Sequence, residues 1–197
     1  YTPPKLWPAE LAQSYFGNRT SFGILRDPLE RLVSQFRGSF RFQHAELGCD
    51  VNRGVKMMMQ NYLAALAAGN PFVENCNYLP QAEFFDAPFG AQQAIDNRLF
   101  PLSMNKFFAA HDSPDLHIAT DEISHVAGCD EVWAAELDEE AKSLVRQVYQ
   151  RDYDLICREF GHCNFGEATC LRGVPGMCPE HLFQWHEEAK MYMPRGS

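Results

Sequence analysis

The fold is decided by residues 19–40, which read RTSFGILRDPLERLVSQFRGSF. The run 20–25 is short and mostly apolar, which predicts a buried β-strand. Asp27 and Pro28 then predict the N-cap and the first residue of a helix, and Glu30 stands where a capping box places an acidic residue. Apolar residues recur at helical spacing after this turn and predict one buried stripe: Leu29, Leu32, Val33, Phe36 and Phe40.

The residues at the junction between this strand and this helix are suited to bind an anion. Arg26 stands at the predicted end of the strand, where open α/β sheets bind ligands, and its guanidinium is a planar fork of donors suited to phosphate. Ser34 adds a hydroxyl group about two helical turns further on. Arg31 and Arg37 add positive charge. The alternative interpretation is an ordinary surface helix with solvated arginines.

The segment 22–40, with RDPLERLVS at its centre, resembles the 3′-phosphate-binding segment of the membrane-bound carbohydrate sulfotransferases. These enzymes transfer sulfate from 3′-phosphoadenosine 5′-phosphosulfate (PAPS) to sugars. The resemblance implies that Arg26 and Ser34 hold the 3′-phosphate of PAPS, or of adenosine 3′,5′-bisphosphate, with Arg31 as an electrostatic helper. Pro80 and Gln81 are similar to a Pro-Gln segment that follows this motif in the family.

The resemblance implies an α/β fold with a small, mostly parallel sheet flanked by helices. It further implies a sulfotransferase core that lacks its first βα unit in this chain. That unit carries a lysine-bearing loop for the 5′-phosphosulfate, and the 25 residues before Arg26 contain no such loop. Two hypotheses follow. The chain is the C-terminal part of a larger enzyme that sulfates a glycan or another hydroxyl acceptor, or it is a catalytically inactive sulfotransferase-like subunit that binds protein partners. No catalytic base can be named from the residues.

Composition narrows the function classes. The chain has 197 residues, a net charge of −9 and a pI near 5.2. Such an acidic chain is not expected to bind nucleic acid, whereas a nucleotide needs only a local basic pocket. No apolar run approaches the roughly 20 residues of a membrane span. We expect a sulfotransferase-like domain at residues 1–161 and a cysteine-rich C-terminal extension at 162–197.

Seven cysteines suggest an oxidising compartment, and the family resemblance implies the Golgi lumen. Four of them fall between Cys157 and Cys178, with no Cys-x-x-Cys pair, so we expect disulfides or buried thiols and no metal, despite His162 and His181 nearby. The odd number leaves at least one thiol unpaired within the chain. All seven are as follows: Cys49, Cys76, Cys129, Cys157, Cys163, Cys170 and Cys178.

Periodicity predicts further elements. Helices are expected over residues 52–68, 102–110 and 137–160, with a short helix over 180–190 and a short strand over 116–119. The end of the long helix resembles that of family members, which carry tyrosine and aspartate there before a Phe-Gly stop. We interpret the matching residues as packing residues without a chemical role: Tyr149, Asp152, Tyr153, Asp154, Phe160 and Gly161.

Overall fold

The computed structural model describes residues 2–39, 45–123, 128–129, 131–164 and 170–196. This part of the chain is mixed α/β, with five α-helices, a two-stranded parallel sheet and a two-stranded antiparallel hairpin. The α/β class and the parallel pairing are therefore confirmed. The elements in chain order are α1 (Ala9–Phe16), β1 (Phe22–Leu25), α2 (Pro28–Ser39), α3 (Val51–Ala67), β2 (Gln93–Asp96), α4 (Leu102–Ala110), α5 (Glu139–Phe160), β3 (Phe183–His186) and β4 (Met191–Pro194).

The predicted strand, turn and helix start are confirmed. Pro28 is the first residue of α2, and the Asp27 carboxylate accepts hydrogen bonds from the N–H groups of Leu29 (2.9 Å) and Glu30 (3.3 Å). These bonds satisfy donors that have no partner within the helix. The Glu30 carboxylate accepts a hydrogen bond from the Arg26 guanidinium.

The main core lies between α2, α3 and α5, which contact one another pairwise. Gly54 of α3 allows the close approach of α2, since a Cβ atom there would lie 2.3 Å from the Phe36 ring. Burying each large apolar side chain of this core contributes about 1.5–3 kcal/mol. The predicted stripe of α2 is confirmed up to Phe36, whereas Phe40 lies outside the described residues. Core members that are essentially without solvent exposure include Leu32, Phe36, Val55, Met59, Val145 and Tyr149.

Strand β1 pairs in parallel with β2, with Phe22 opposite Gln93 and Leu25 opposite Asp96. The prediction that β1 is buried is wrong for part of the strand, since Phe22 and Ile24 are 41% and 42% exposed. Leu25 alone in β1 is buried. The ring of Phe107 of α4 contacts the Phe22 ring, with the ring centroids 4.5 Å apart, and leaves Phe22 partly exposed.

The long C-terminal helix is confirmed. Asp138 caps the N-terminus of α5 by accepting the N–H of Ala141 (2.8 Å), and Gly161 ends it with a φ of 74°. A left-handed residue after the last turn is the usual place for glycine. The predicted helices over residues 52–68 and 102–110 are confirmed as α3 and α4.

The cysteine-rich extension contains no helix over residues 180–190, and that prediction is wrong. Strands β3 and β4 pair in an antiparallel hairpin across this segment instead. Alternate side chains of the hairpin explain the difference, because Phe183 and Tyr192 pack with the cystine of Cys170 and Cys178 in a small separate core. The strand expected over 116–119 is also absent, since these residues follow an irregular path. The division between residues 161 and 162 stays a prediction.

Three disulfides confirm the expectation for the cysteines: Cys49–Cys129, Cys157–Cys163 and Cys170–Cys178. Cys76 has no disulfide partner, as the odd count requires. Within the described residues no helix is long and apolar enough to span a membrane.

Candidate functional site

Arg26 follows the last residue of β1 and is held there by the side chain of Gln81. The backbone N–H of Arg26 donates to Gln81 Oε1 (3.0 Å), and Gln81 Nε2 donates to the Arg26 carbonyl (2.7 Å). Gln81 thus bonds both backbone groups of Arg26, as a residue of a neighbouring strand would. The sequence analysis noted Gln81 only as part of a Pro-Gln segment and did not predict this role.

Gln81 is in turn fixed by Asp152 of α5. The Asp152 carboxylate is fully buried and accepts hydrogen bonds from the N–H groups of Gln81 (2.9 Å) and Ala82 (2.8 Å). Gln81 Nε2 lies 3.3 Å from the same carboxylate. Burial raises the pKa of Asp152, and these donors together with Arg31 oppose that shift. A chain of contacts therefore runs from the core helix α5 to Arg26.

The two predicted phosphate ligands come together in one cavity. Arg26, in the turn between β1 and α2, and Ser34, on α2, both line a space of about 270 Å³. Arg37 contributes a second guanidinium, which is nearly buried and lies 5.3 Å from the centre of the Trp133 ring. An adjoining and more open cavity of about 600 Å³ is also lined by Arg26 and Ser34, together with Arg31.

Apolar residues from distant parts of the chain also line the smaller cavity. Ile123, Leu171 and Met177 line it together with Trp133. Leu171 and Met177 each stand next to a cysteine of the Cys170–Cys178 disulfide, so the extension contributes to the cavity. Nothing in the sequence pattern indicated this, because the spacing of the cysteines says nothing about what their loop contacts.

Glu30 is the unexpected member of the site. It is 9% exposed, lines the same cavity, and its Oε2 lies 3.2 Å from Arg26 Nη2. Burial raises the pKa of Glu30 to about 7, although the Arg26 charge and hydrogen bond act to lower it. The four-residue spacing between Arg26 and Glu30 is the signal that could have predicted this ion pair.

Three contacts hold Arg31, which also lines the larger cavity. Its Nη1 lies 3.8 Å from Asp152 Oδ2, its Nη2 donates to the Asn77 carbonyl (2.5 Å), and its guanidinium lies 5.5 Å from the centre of the Tyr149 ring. Tyr149 donates its hydroxyl to the Tyr78 carbonyl (2.8 Å), and burial raises its pKa. The packing interpretation holds for Tyr149, whereas Asp152 also positions the segment that carries Gln81.

A second polar cluster lies at the carboxyl ends of the two parallel strands. His162 Nε2 lies 3.3 Å from Asp96 Oδ2, and Arg98 Nε lies 3.5 Å from Asp96 Oδ1. The cavity beside them holds only about 20 Å³, which is room for about one water molecule. Among the described residues no group of three or more His, Cys, Asp or Glu side chains is placed to hold a metal ion.

Comparison with known proteins identifies no relative of this chain: no family model, no curated protein and no solved structure matches it.

Proposed function

We propose that this chain is the sulfotransferase-like part of a PAPS-dependent sulfotransferase, in which Arg26 and Ser34 bind the 3′-phosphate of the donor. Sulfate would pass to a hydroxyl group of a glycan acceptor, a class that rests on the resemblance of residues 22–40. The observation that carries the proposal is that Arg26 and Ser34 line the same cavity. Three disulfides support a secreted or luminal compartment, and the Golgi lumen is proposed on the resemblance alone.

The residues of the cavity fit the anionic end of such a nucleotide. Arg26 Nε is buried and finds no hydrogen-bond acceptor among the described residues. The Ser34 hydroxyl can donate beside it, and Arg37 adds charge at the same cavity. Guanidinium groups bind phosphate with geometrically specific, charge-assisted hydrogen bonds.

The apolar half of the cavity fits the rest of the ligand. Trp133 offers an aromatic face, and Ile123, Leu171 and Met177 offer apolar contacts at the same cavity. The two adjoining cavities, of about 270 and 600 Å³, are in the range of small-ligand sites. When bound, PAPS supplies the activated sulfate. The residues of this chain would orient it through its 3′-phosphate, which is the positioning contribution to catalysis.

The test is calorimetric titration with adenosine 3′,5′-bisphosphate. We expect saturable binding by the wild-type chain, about 10- to 100-fold weaker binding by Arg26→Ala, and about 2- to 10-fold weaker binding by Ser34→Ala. Arg53→Ala is the matched control, because Arg53 is an exposed arginine that does not line either cavity. Adenosine 5′-monophosphate, which lacks the 3′-phosphate, should bind more weakly than the bisphosphate. Equal binding by wild type and Arg26→Ala would refute the assignment.

A second candidate function is that of an inactive, sulfotransferase-like interaction subunit. The observation in its favour is the exposed apolar surface of β1, where Phe22 and Ile24 lie beside an apolar groove lined by Phe84 and Phe85. Exposed apolar patches of this kind occur at protein–protein contacts. A folded wild-type chain that binds no adenosine 3′,5′-bisphosphate would favour this function over the first.

A further inference from the structure

Glu30 places a buried carboxylate inside a cavity whose other charged members are cations. Its side chain lines the same space as Arg26, Ser34 and Arg37, and its carboxylate lies 3.2 Å from Arg26 Nη2. An ionised carboxylate at this point balances the Arg26 charge when no anion is bound. The same charge would repel an anion that binds to Arg26.

Among the described residues, the charges that act on Glu30 belong to the segment that carries it. Arg26, Asp27 and Arg37 are the charges that act on Glu30. The described apolar residues that line the cavity include Ile123, Trp133, Leu171 and Met177, none of which can ionise. On α5, burial and the charge of Asp27 raise the pKa of the Tyr153 hydroxyl, and the charge of Arg146 lowers it. The turn of α3 that packs on Phe36 presents Gly54.

We propose that Glu30 is a positioning residue for Arg26 that takes up one proton when the site binds its anion. The ionised carboxylate holds Arg26 Nη2 in the free protein. When an anion approaches, a proton from solvent neutralises Glu30, and the N–H groups of Arg26 turn from the carboxylate to the anion. The inference rests on the proposed function for the identity of the ligand, but it needs only an anion at Arg26.

The direction of the pH effect follows from linkage. Burial already raises the pKa of Glu30 to about 7 in the free protein, and a bound negative charge raises it further. Because the bound state then holds more protons than the free state, anion affinity rises as pH falls. The limit is about tenfold in affinity for each pH unit in the range where the free protein has lost the proton and the complex keeps it.

The experiment uses inorganic sulfate as the probe, because its charge is constant across neutral pH while a phosphate monoester titrates near pH 6. Sulfate affinity is measured by calorimetry at about pH 6 and about pH 8, in two buffers that differ in ionisation enthalpy. We expect the wild-type chain to bind sulfate about tenfold more tightly at the lower pH, with proton uptake at the higher pH. Glu30→Gln should bind at pH 8 as tightly as wild type binds at pH 6, with no pH dependence.

Controls separate the failure of this inference from the failure of the proposed function. Glu10→Gln removes an exposed carboxylate far from the cavity and should keep the wild-type pH dependence. Sulfate binding that requires Arg26 but shows the same pH slope in wild type and Glu30→Gln would overturn the role of Glu30 and leave the anion site standing. Absence of sulfate and bisphosphate binding in both proteins, at either pH, would overturn the site itself and with it both proposals.

Discussion

Asp152→Ala is the substitution that tests how α5 positions Arg26. The fully buried carboxylate accepts the N–H groups of Gln81 (2.9 Å) and Ala82 (2.8 Å), and alanine leaves both donors without this acceptor. A buried polar group that loses its partner costs about 1–3 kcal/mol. The Ala82 donor is buried and the Gln81 donor is partly exposed, so we expect the free energy of unfolding to fall by about 2–4 kcal/mol.

The assay is chemical denaturation of wild type, Asp152→Ala and Asp154→Ala, followed by the fluorescence of the tryptophans. Asp154 is the matched control, since it lies on the same helix, is exposed, and accepts a hydrogen bond from the exposed Gln150 side chain (2.9 Å). Its substitution should change the unfolding free energy by less than about 0.5 kcal/mol. Unfolding should remain a single transition for the comparison to hold.

The same variant should also weaken the anion site. Without Asp152 the segment at Gln81 loses its anchor, and Gln81 supplies both hydrogen bonds to the Arg26 backbone. We therefore expect weaker binding of adenosine 3′,5′-bisphosphate in a variant that is still folded. A loss of stability below about 1 kcal/mol relative to Asp154→Ala would refute the reasoning, because it would mean that the two N–H donors find other partners at little cost.

Two further predictions concern stability. The Cys49–Cys129 disulfide joins residues 80 positions apart, and the Cys170–Cys178 disulfide joins residues 8 positions apart. Because a longer closed loop restricts the unfolded chain more, replacing the first pair by alanine should lower the unfolding free energy by about 4 kcal/mol, and replacing the second pair should lower it by about 2–3 kcal/mol. Equal losses in denaturation curves would contradict this order. The second prediction concerns Glu30, whose pKa rises on folding from about 4.5 to about 7. Between these two pH values the folded protein binds a proton that the unfolded chain has lost, so the free energy of unfolding falls as pH rises from about 4.5 to about 7. Glu30→Gln should remove about 3 kcal/mol of that fall, measured as the difference between the pH profiles of the two proteins, and superimposable profiles would show that burial of Glu30 is not linked to protonation.

The local sequence was sufficient to predict helices whose boundaries depend on a few neighbouring residues. Asp27 and Pro28 start α2, as their capping preferences predicted. Asp138 and Gly161, which cap α5, are also residue types that such positions prefer. Helices α2, α3, α4 and α5 were predicted from apolar periodicity and start or stop signals, which do not depend on partners. The helix expected over residues 180–190 failed because Phe183 and Tyr192 are fixed by packing on a cystine.

Part of the candidate site was also predictable. Arg26 and Ser34 were singled out by the order of residues around a strand end and by helical spacing, and both line one cavity. The spacing of Arg26 and Glu30 could have indicated their ion pair. It could not have indicated the raised pKa of Glu30, because that depends on which distant residues close the cavity and exclude water.

The sequence by itself determined the strand, turn and helix that carry Arg26, because caps, proline and apolar periodicity act over a few residues. Only the tertiary structure decided that Gln81 and Asp152 hold Arg26 in place and that Leu171 and Met177 form a wall of its cavity. These residues lie 55 to 151 positions after Arg26 in the chain. No local propensity encodes such distances, and they are specified only when the whole core packs.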